Sequence, residues 1–153
     1  MNIEKNVGKV LKKFKMTMAV AESCTGGLIS SRLTDISGSS DYFLMGMVAY
    51  SNKIKENILG VSADLLKKYG AVSEQVALEM AKGVRSVANT DIGIGVTGIA
   101  GPTGGTRSKP VGLVYIALVT GKKNIVKEFR FKGSRKAIKL QASEAALKLC
   151  AHL

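Results

Sequence analysis

Along this chain, stretches in which apolar residues return every three or four positions take turns with short continuous apolar runs. Ile3, Val7, Val10, Leu11 and Phe14 recur at helical spacing with lysines between them, which predicts an opening amphipathic helix. Residues 16–21 form a short apolar run read as a buried strand, and Thr25 to Leu33 reads as the helix after it. The serine-rich stretch Asp35 to Asp41, containing Gly38, is a loop. A second strand runs from about Phe43 to Tyr50, and Ser51 has the character of an N-cap for a helix whose apolar face is Ile54, Ile58 and Leu59. Ser62 and Asp64 open a short helical segment that stops near Gly70. Ser73 then caps a long helix with Val76, Met80, Val84 and Val87 on one face and Glu74 in the first turn, where negative charge is favoured. A third strand covers Asp91 to Thr97, and Gly98 to Pro110 is a long Gly/Pro loop. Val111 to Val119 and Ile125 to Phe131 read as two more strands across a turn at Gly121. The last helix begins around Ser134, with Ile138, Ala142, Ala145 and Leu149 facing the core.

Helical crossovers between the early strands call for parallel pairing, and the short final connection calls for an antiparallel one. The predicted architecture is a three-layer α/β/α sandwich around a mixed sheet of about five strands. Residues 1–153 read as a single domain, without an internal repeat or a dividing linker. The alanine-rich helices should pack closely over the sheet.

A chain of 153 residues buries about two-thirds of its unfolded surface and needs no staples. Its 46% hydrophobic and 22% charged residues suit an ordered globular protein. Two cysteines, Cys24 and Cys150, make neither a zinc spacing nor a disulfide framework, which points to a reduced, cytoplasmic setting. Lysines interrupt the N-terminal stretch, so no signal peptide is expected, and no run is long enough to span a membrane. The formal charge of +12 suits an anionic partner. The lysines are nevertheless spread along the chain, and four phenylalanines and four tyrosines make few stacking platforms. A phosphorylated small substrate accounts for the charge as well as nucleic acid does.

Three segments carry candidate chemistry. In Ala21–Gly27, Ser23, Cys24 and Thr25 lie where a buried strand opens into a helix, and exposed amides there favour an anion or a developing oxyanion. Ser23 or Thr25 as a plain helix cap is the commoner use of such residues; Ser23 as a nucleophile, with Cys24 as its competitor, is the alternative. Serine requires a base, and the one histidine, His152, lies next to the C-terminal residue. Lysine or tyrosine therefore has to move the proton. Tyr50 at a strand end and Lys55 one turn into the next helix are the candidates, because strand C-termini in such sheets converge on one crevice. Burial lowers a lysine pKa enough for base catalysis. The third segment, Thr97–Thr106, follows a strand and offers glycine amides and hydroxyls suited to a phosphate or ribose. It lacks both the P-loop ending and the helix that follows a dinucleotide fingerprint.

Taken in order, these segments resemble the C-terminal domain of the competence/damage-inducible protein A family, the nicotinamide-nucleotide amidohydrolases. The resemblance rests on AESCTGG at Ala21–Gly27, the stretch Gly38–Val61, VTGIAGPTGG at Val96–Gly105, KPVGLVYIAL at Lys109–Leu118, and Phe131–Leu147. It spans essentially the whole chain. Many members carry a larger N-terminal domain, so this chain looks like the stand-alone deamidase form. Ser134 departs from the pattern, which usually has an acidic or amide residue before Arg135.

The resemblance implies hydrolysis of the carboxamide of nicotinamide mononucleotide to nicotinate mononucleotide and ammonia. It implies Ser23 as nucleophile and Tyr50 and Lys55 in proton transfer, either by a direct lysine base or by a tyrosine relay. Thr25, Gly26 and Gly27 are expected at the oxyanion. Thr97, Gly98, Gly101, Gly104, Gly105 and Thr106 are expected to hold the nucleotide, chiefly its phosphate, with Arg135 as a further cation. No metal or other cofactor is expected, and the partner is a small pyridine nucleotide rather than a membrane or a specific nucleic acid. A homo-oligomer, most simply a two-fold dimer, suits a small α/β enzyme. The rival reading is a non-catalytic nucleotide-binding or protein-interaction module. A pyrophosphatase or phosphatase would usually call for acidic metal ligands, and no such cluster stands out.

Overall fold

The computed structural model describes residues 2–153. Its helices are α1 (Ile3–Phe14), α2 (Leu28–Thr34), α3 (Asn52–Asn57), α4 (Ala63–Tyr69), α5 (Glu74–Ala88) and α6 (Arg135–Ala151). Its strands are β1 (Met18–Glu22), β2 (Phe43–Val48), β3 (Ile92–Gly98), β4 (Leu113–Val119) and β5 (Asn124–Arg130). Serine side chains open four of the helices. Ser51, Ser62, Ser73 and Ser134 each accept the amide three residues on, which satisfies one otherwise orphaned donor.

The strands form one sheet in the order β2-β1-β3-β4-β5, parallel from β2 through β3 and antiparallel from β3 through β5. This is the mixed five-stranded sheet the pattern predicts, with helices on both faces. On one face α1, α2 and α6 cover β1, β3 and β4, with Val7, Leu11, Ile29, Leu33, Ile138 and Leu147 buried together. Arg32 ties these three helices together. Its guanidinium donates to Glu4 on α1 and to Ser143 and Glu144 on α6. On the other face α5 lies across the sheet, with Val76, Met80 and Val84 in a cluster shared with Ala19, Ala21, Leu59 and Val61. Close packing there depends on small residues. A β-carbon on Gly93 would lie 2.1 Å from the Ala81 carbonyl, and one on Gly95 would lie 2.4 Å from that of Ala77.

Three expectations about faces change. Val87 is 50% exposed, because the buried stripe of α5 continues from Val84 to Ala88, four residues on. In α3, Ile54 and Ile58 face solvent, and Lys55 and Leu59 are the buried pair. In α6, Ala145 and Leu149 are only partly buried at the rim of the core, while Ala146, Leu147 and Cys150 fill it. The N-terminal amphipathic helix packs within the chain, and Val7 and Leu11 have no exposure. Among the described residues no helix is long and apolar enough to cross a membrane.

Candidate active site

The parallel half of the sheet directs the C-terminal ends of β1, β2 and β3 to one edge, the usual place for a site in such sheets. Ser23 directly follows β1, Tyr50 lies two residues beyond β2, and Gly98 closes β3. Backbone bonds hold these ends in register. The Ser23 amide donates to the Val96 carbonyl at 3.0 Å, and the Ala49 amide to the Glu22 carbonyl at 2.8 Å.

Ser23 does not cap α2. The cap position is Gly27, with a left-handed φ of 99° and no side-chain cap bond. The orphan amides at that helix start are taken by the last residue of β1. The buried carboxylate of Glu22 accepts from the Ile29 amide at 2.9 Å, from the Ser30 amide at 3.0 Å and from the Ser30 hydroxyl at 2.7 Å. An acid at the end of an apolar strand, just before a helix, was the available signal. With Glu22 in that role, the Ser23 side chain is free for another partner.

That partner is Lys55. Its Nζ lies 3.0 Å from Ser23 Oγ and 3.1 Å from the Tyr50 carbonyl oxygen. Lys55 is 1% exposed and forms no ion pair among the described residues. Burial disfavours its charged form and lowers its pKa from the ordinary lysine value. A thiolate at Cys24 would oppose that shift. Burial, however, pushes the Cys24 thiol up to about 12, so it stays neutral at physiological pH. The same burial leaves Cys24 a poor nucleophile beside a hydroxyl that has a base within reach.

Tyr50 contributes differently from what was expected. Its main-chain carbonyl, not its phenol, meets Lys55, and the phenol accepts from Arg135 at 3.3 Å. The ring is 62% exposed at the mouth of the cleft. A phenol-to-lysine relay is absent from this geometry. Arg135, on the first turn of α6, also donates to the Gly101 carbonyl at 2.6 Å and so fastens the glycine loop to that helix.

These groups surround a cleft of about 340 Å³ lined by Ser23, Cys24, Tyr50, Lys55, Arg135 and the loop residues Thr97, Gly98, Gly101, Thr103 and Gly104. Asn52, Ala71, Val72, Ile99 and Ala100 complete its wall, and no chemical signal singled them out. Gly105 and Thr106 are outside this lining; the Thr106 hydroxyl accepts the Lys109 amide at 3.0 Å. The Thr97 hydroxyl donates to the Ala71 carbonyl at 2.8 Å. Thr25, Gly26 and Gly27 line a neighbouring cavity instead. The Gly26 amide is bonded to the Ser23 carbonyl at 3.1 Å and is not free for an oxyanion. Among the described residues there is no group of three or more His, Cys, Asp or Glu that could hold a metal ion.

A family model described as the CinA C-terminal domain matches residues 1–153. A putative competence-damage inducible protein of Desulforudis audaxviator is 48% identical over 146 residues, 95% of this chain and 35% of that protein. One of the same description from Acetivibrio thermocellus is 55% identical over 137 residues, 90% of this chain and 33% of the relative. The chain thus spans about a third of the length of these curated relatives. Among solved structures, the competence/damage inducible protein CihA from Agrobacterium tumefaciens superposes with a TM-score of 0.91 at 39% identity, covering 96% of this chain and 92% of that one. The competence damage-inducible protein A from Klebsiella pneumoniae gives a TM-score of 0.95 at 31% identity, over 98% and 93%.

Proposed function

This chain belongs to the CinA C-terminal domain family, and from that premise we propose that it is a serine amidohydrolase acting on the carboxamide of nicotinamide mononucleotide. The observation that carries this reading is the buried contact of 3.0 Å between Lys55 Nζ and Ser23 Oγ in a polar cleft. A lysine in that position, with its ammonium form disfavoured by burial, is a base matched to a serine that has no histidine.

In the proposed reaction the neutral amine of Lys55 takes the Ser23 proton as Oγ attacks the carboxamide carbon. The Tyr50 carbonyl holds the amine in line throughout. The amides that follow Ser23, those of Cys24 and Thr25, are the proposed donors to the tetrahedral oxyanion. The Lys55 ammonium then protonates the departing nitrogen, the C–N bond breaks, and ammonia leaves an acyl ester on Ser23. Water, deprotonated by Lys55, adds to that ester, and the Lys55 ammonium returns the proton to Oγ as the C–Oγ bond breaks, releasing the nicotinate product and restoring both the serine and the neutral amine. The pyridinium of the substrate withdraws electrons from the carbonyl and favours both additions. Arg135, held by the Gly101 carbonyl, positions the loop and the Tyr50 ring at the mouth of the cleft.

The test is direct. The chain incubated with nicotinamide mononucleotide should release ammonia and nicotinate mononucleotide in equal amounts, and Ser23→Ala should abolish release while remaining folded. Binding without turnover by the unaltered chain would instead favour the non-catalytic nucleotide-binding module.

A further inference from the structure

The sheet ends on β5, which has β4 on one side and, among the described residues, no strand on the other. The Phe131 amide donates to the Gly112 carbonyl at 2.9 Å, so the odd-numbered residues of this strand turn their amides inward to β4. Val126, Glu128 and Arg130 therefore turn theirs to the open edge. The two faces of the strand differ. Phe129 and Phe131, stacked with ring centroids 5.2 Å apart, stand with Lys127 over a groove whose other wall is Leu140, Ala145 and Leu149 of α6. On the opposite face Glu128 and Arg130 make an ion pair of 2.9 Å, their side chains 44% and 60% exposed.

An open edge beside an apolar groove is a template for another strand, and charges on that edge decide which strand it accepts. The order of charges on β5 is complementary to itself. In antiparallel pairing about a two-fold axis perpendicular to the sheet, opposed residues share a face, so the axis passes where one residue meets its own copy. An axis at Lys127, Glu128 or Arg130 sets that charge against its like. An axis at Val126 leaves Arg130 and both phenylalanines outside the seam. An axis at Phe129 sets Glu128 of each copy opposite Arg130 of the other, and Lys127 opposite the Phe131 ring. Glu128 and Arg130 are also the residues with outward amides, so they form the hydrogen-bonded pairs. Phe129 then falls at the non-hydrogen-bonded pair, where side chains approach most closely. The other edge strand, β2, exposes Leu44 and Val48 but carries no charge to set a register.

We propose that β5 is the docking surface for a second copy of this chain, paired antiparallel about a two-fold axis at Phe129, so that two sheets become one continuous sheet. Such an axis keeps α6 of both copies on the same face, and the two grooves close on each other. The phenylalanine rings and the leucine walls that one copy leaves to water then cover those of its partner. No residue lining the reaction cleft lies on β5, so this seam is separate from the chemistry and does not depend on what the cleft binds.

Sedimentation equilibrium of the full chain in the micromolar range tests the seam, with circular dichroism confirming that each variant is folded. The unaltered chain should be a dimer. Glu128→Arg and Arg130→Glu each set like charges opposite one another and should each raise the dissociation constant at least about tenfold. The two changes together exchange the charges and should bring it back to within about threefold of the unaltered chain. Phe129→Cys should form a covalent dimer on mild oxidation, reversed by added thiol, because α-carbons of such a pair lie about 4.5 Å apart, within disulfide range. Lys127→Cys should not, since its copies would be about 13 Å apart along the strands. The native Cys24 and Cys150 are buried and do not compete. A monomer, a dimer indifferent to both single charge changes, or a cross-link at Lys127→Cys and not at Phe129→Cys overturns the assignment. So does a dimer dispersed by Leu44→Ser, which places the seam on β2. Where a charge variant fails to fold, the two cysteine variants decide.

Discussion

Two hollows in this molecule invite opposite conclusions. The larger, about 790 Å³, lies between β5 and α6, with the stacked rings of Phe129 and Phe131, the half-exposed Leu140 and the partly buried Leu149 on its walls. The smaller, about 340 Å³, lies at the ends of the parallel strands and holds Ser23 and Lys55. Size favours the first as a default binding site. Chemistry favours the second, because it contains a buried amine and a hydroxyl held in contact by three separate chain segments. A wide apolar groove forms wherever an edge strand and a helix rim meet solvent. A buried lysine without a carboxylate costs folding free energy, and such a cost is commonly found where function needs the group.

The comparison breaks most sharply at Lys55. Lys55→Met should lower kcat by about a thousandfold or more, measured as ammonia release from nicotinamide mononucleotide. The same change should raise stability by about 1 kcal/mol in chemical denaturation, since it removes a buried amine. A variant that is less stable and still active would place the chemistry elsewhere. The pH profile sharpens the point. The proposed lysine base works as the neutral amine, so kcat/KM should rise with pH through a lysine pKa lowered by burial below the ordinary 10.5. A rate that instead falls as pH rises through neutrality would contradict a lysine base.

A smaller effect is expected at the loop clamp. Arg135→Met removes the bonds to Gly101 and Tyr50 and should cost about tenfold to a hundredfold in kcat/KM. Tyr50→Phe removes only the phenol while the carbonyl that meets Lys55 stays, so activity should fall by less than about fivefold. A loss as large as that of Lys55→Met would restore the tyrosine relay. Cys24→Ala should keep substantial activity, with about 1 kcal/mol lost from the core by denaturation. The smallest effect is reserved for the large groove: Leu140→Ser should leave kcat and KM within about twofold. The proposed two-fold dimer is checked by light scattering at several concentrations. Ser23, Tyr50, Lys55 and Arg135 all come from one chain, so specific activity should not follow the state of association.

Much of the layout was legible because it is written in local patterns. The caps at Ser51, Ser62, Ser73 and Ser134 fall where a hydroxyl precedes a helical run, and the turn at Gly121 separates two β-rich runs. Ser23 and Lys55 were recoverable as a pair because each follows a strand in a parallel sheet. What misled was rotation about a short helix. With six residues, α3 has too few apolar positions to declare a face, so Ile54 and Ile58 passed for its core side and Lys55 for its margin.

By itself, the sequence determined the order of the elements, the mixed sheet, the helix starts and the edge on which Ser23, Tyr50 and Lys55 gather. Periodicity and capping act over a few residues, and the topology follows from crossover lengths. Only the tertiary structure decided that Lys55 is buried against Ser23, that Tyr50 meets Lys55 through its carbonyl, that Glu22 takes over the cap and leaves the serine side chain to Lys55, and that residues 25–27 line a separate hollow with Lys136 and Lys139. Each of these depends on which way a side chain points once distant segments have packed. That direction is set by the competition of all buried polar groups for partners, and no local window contains it.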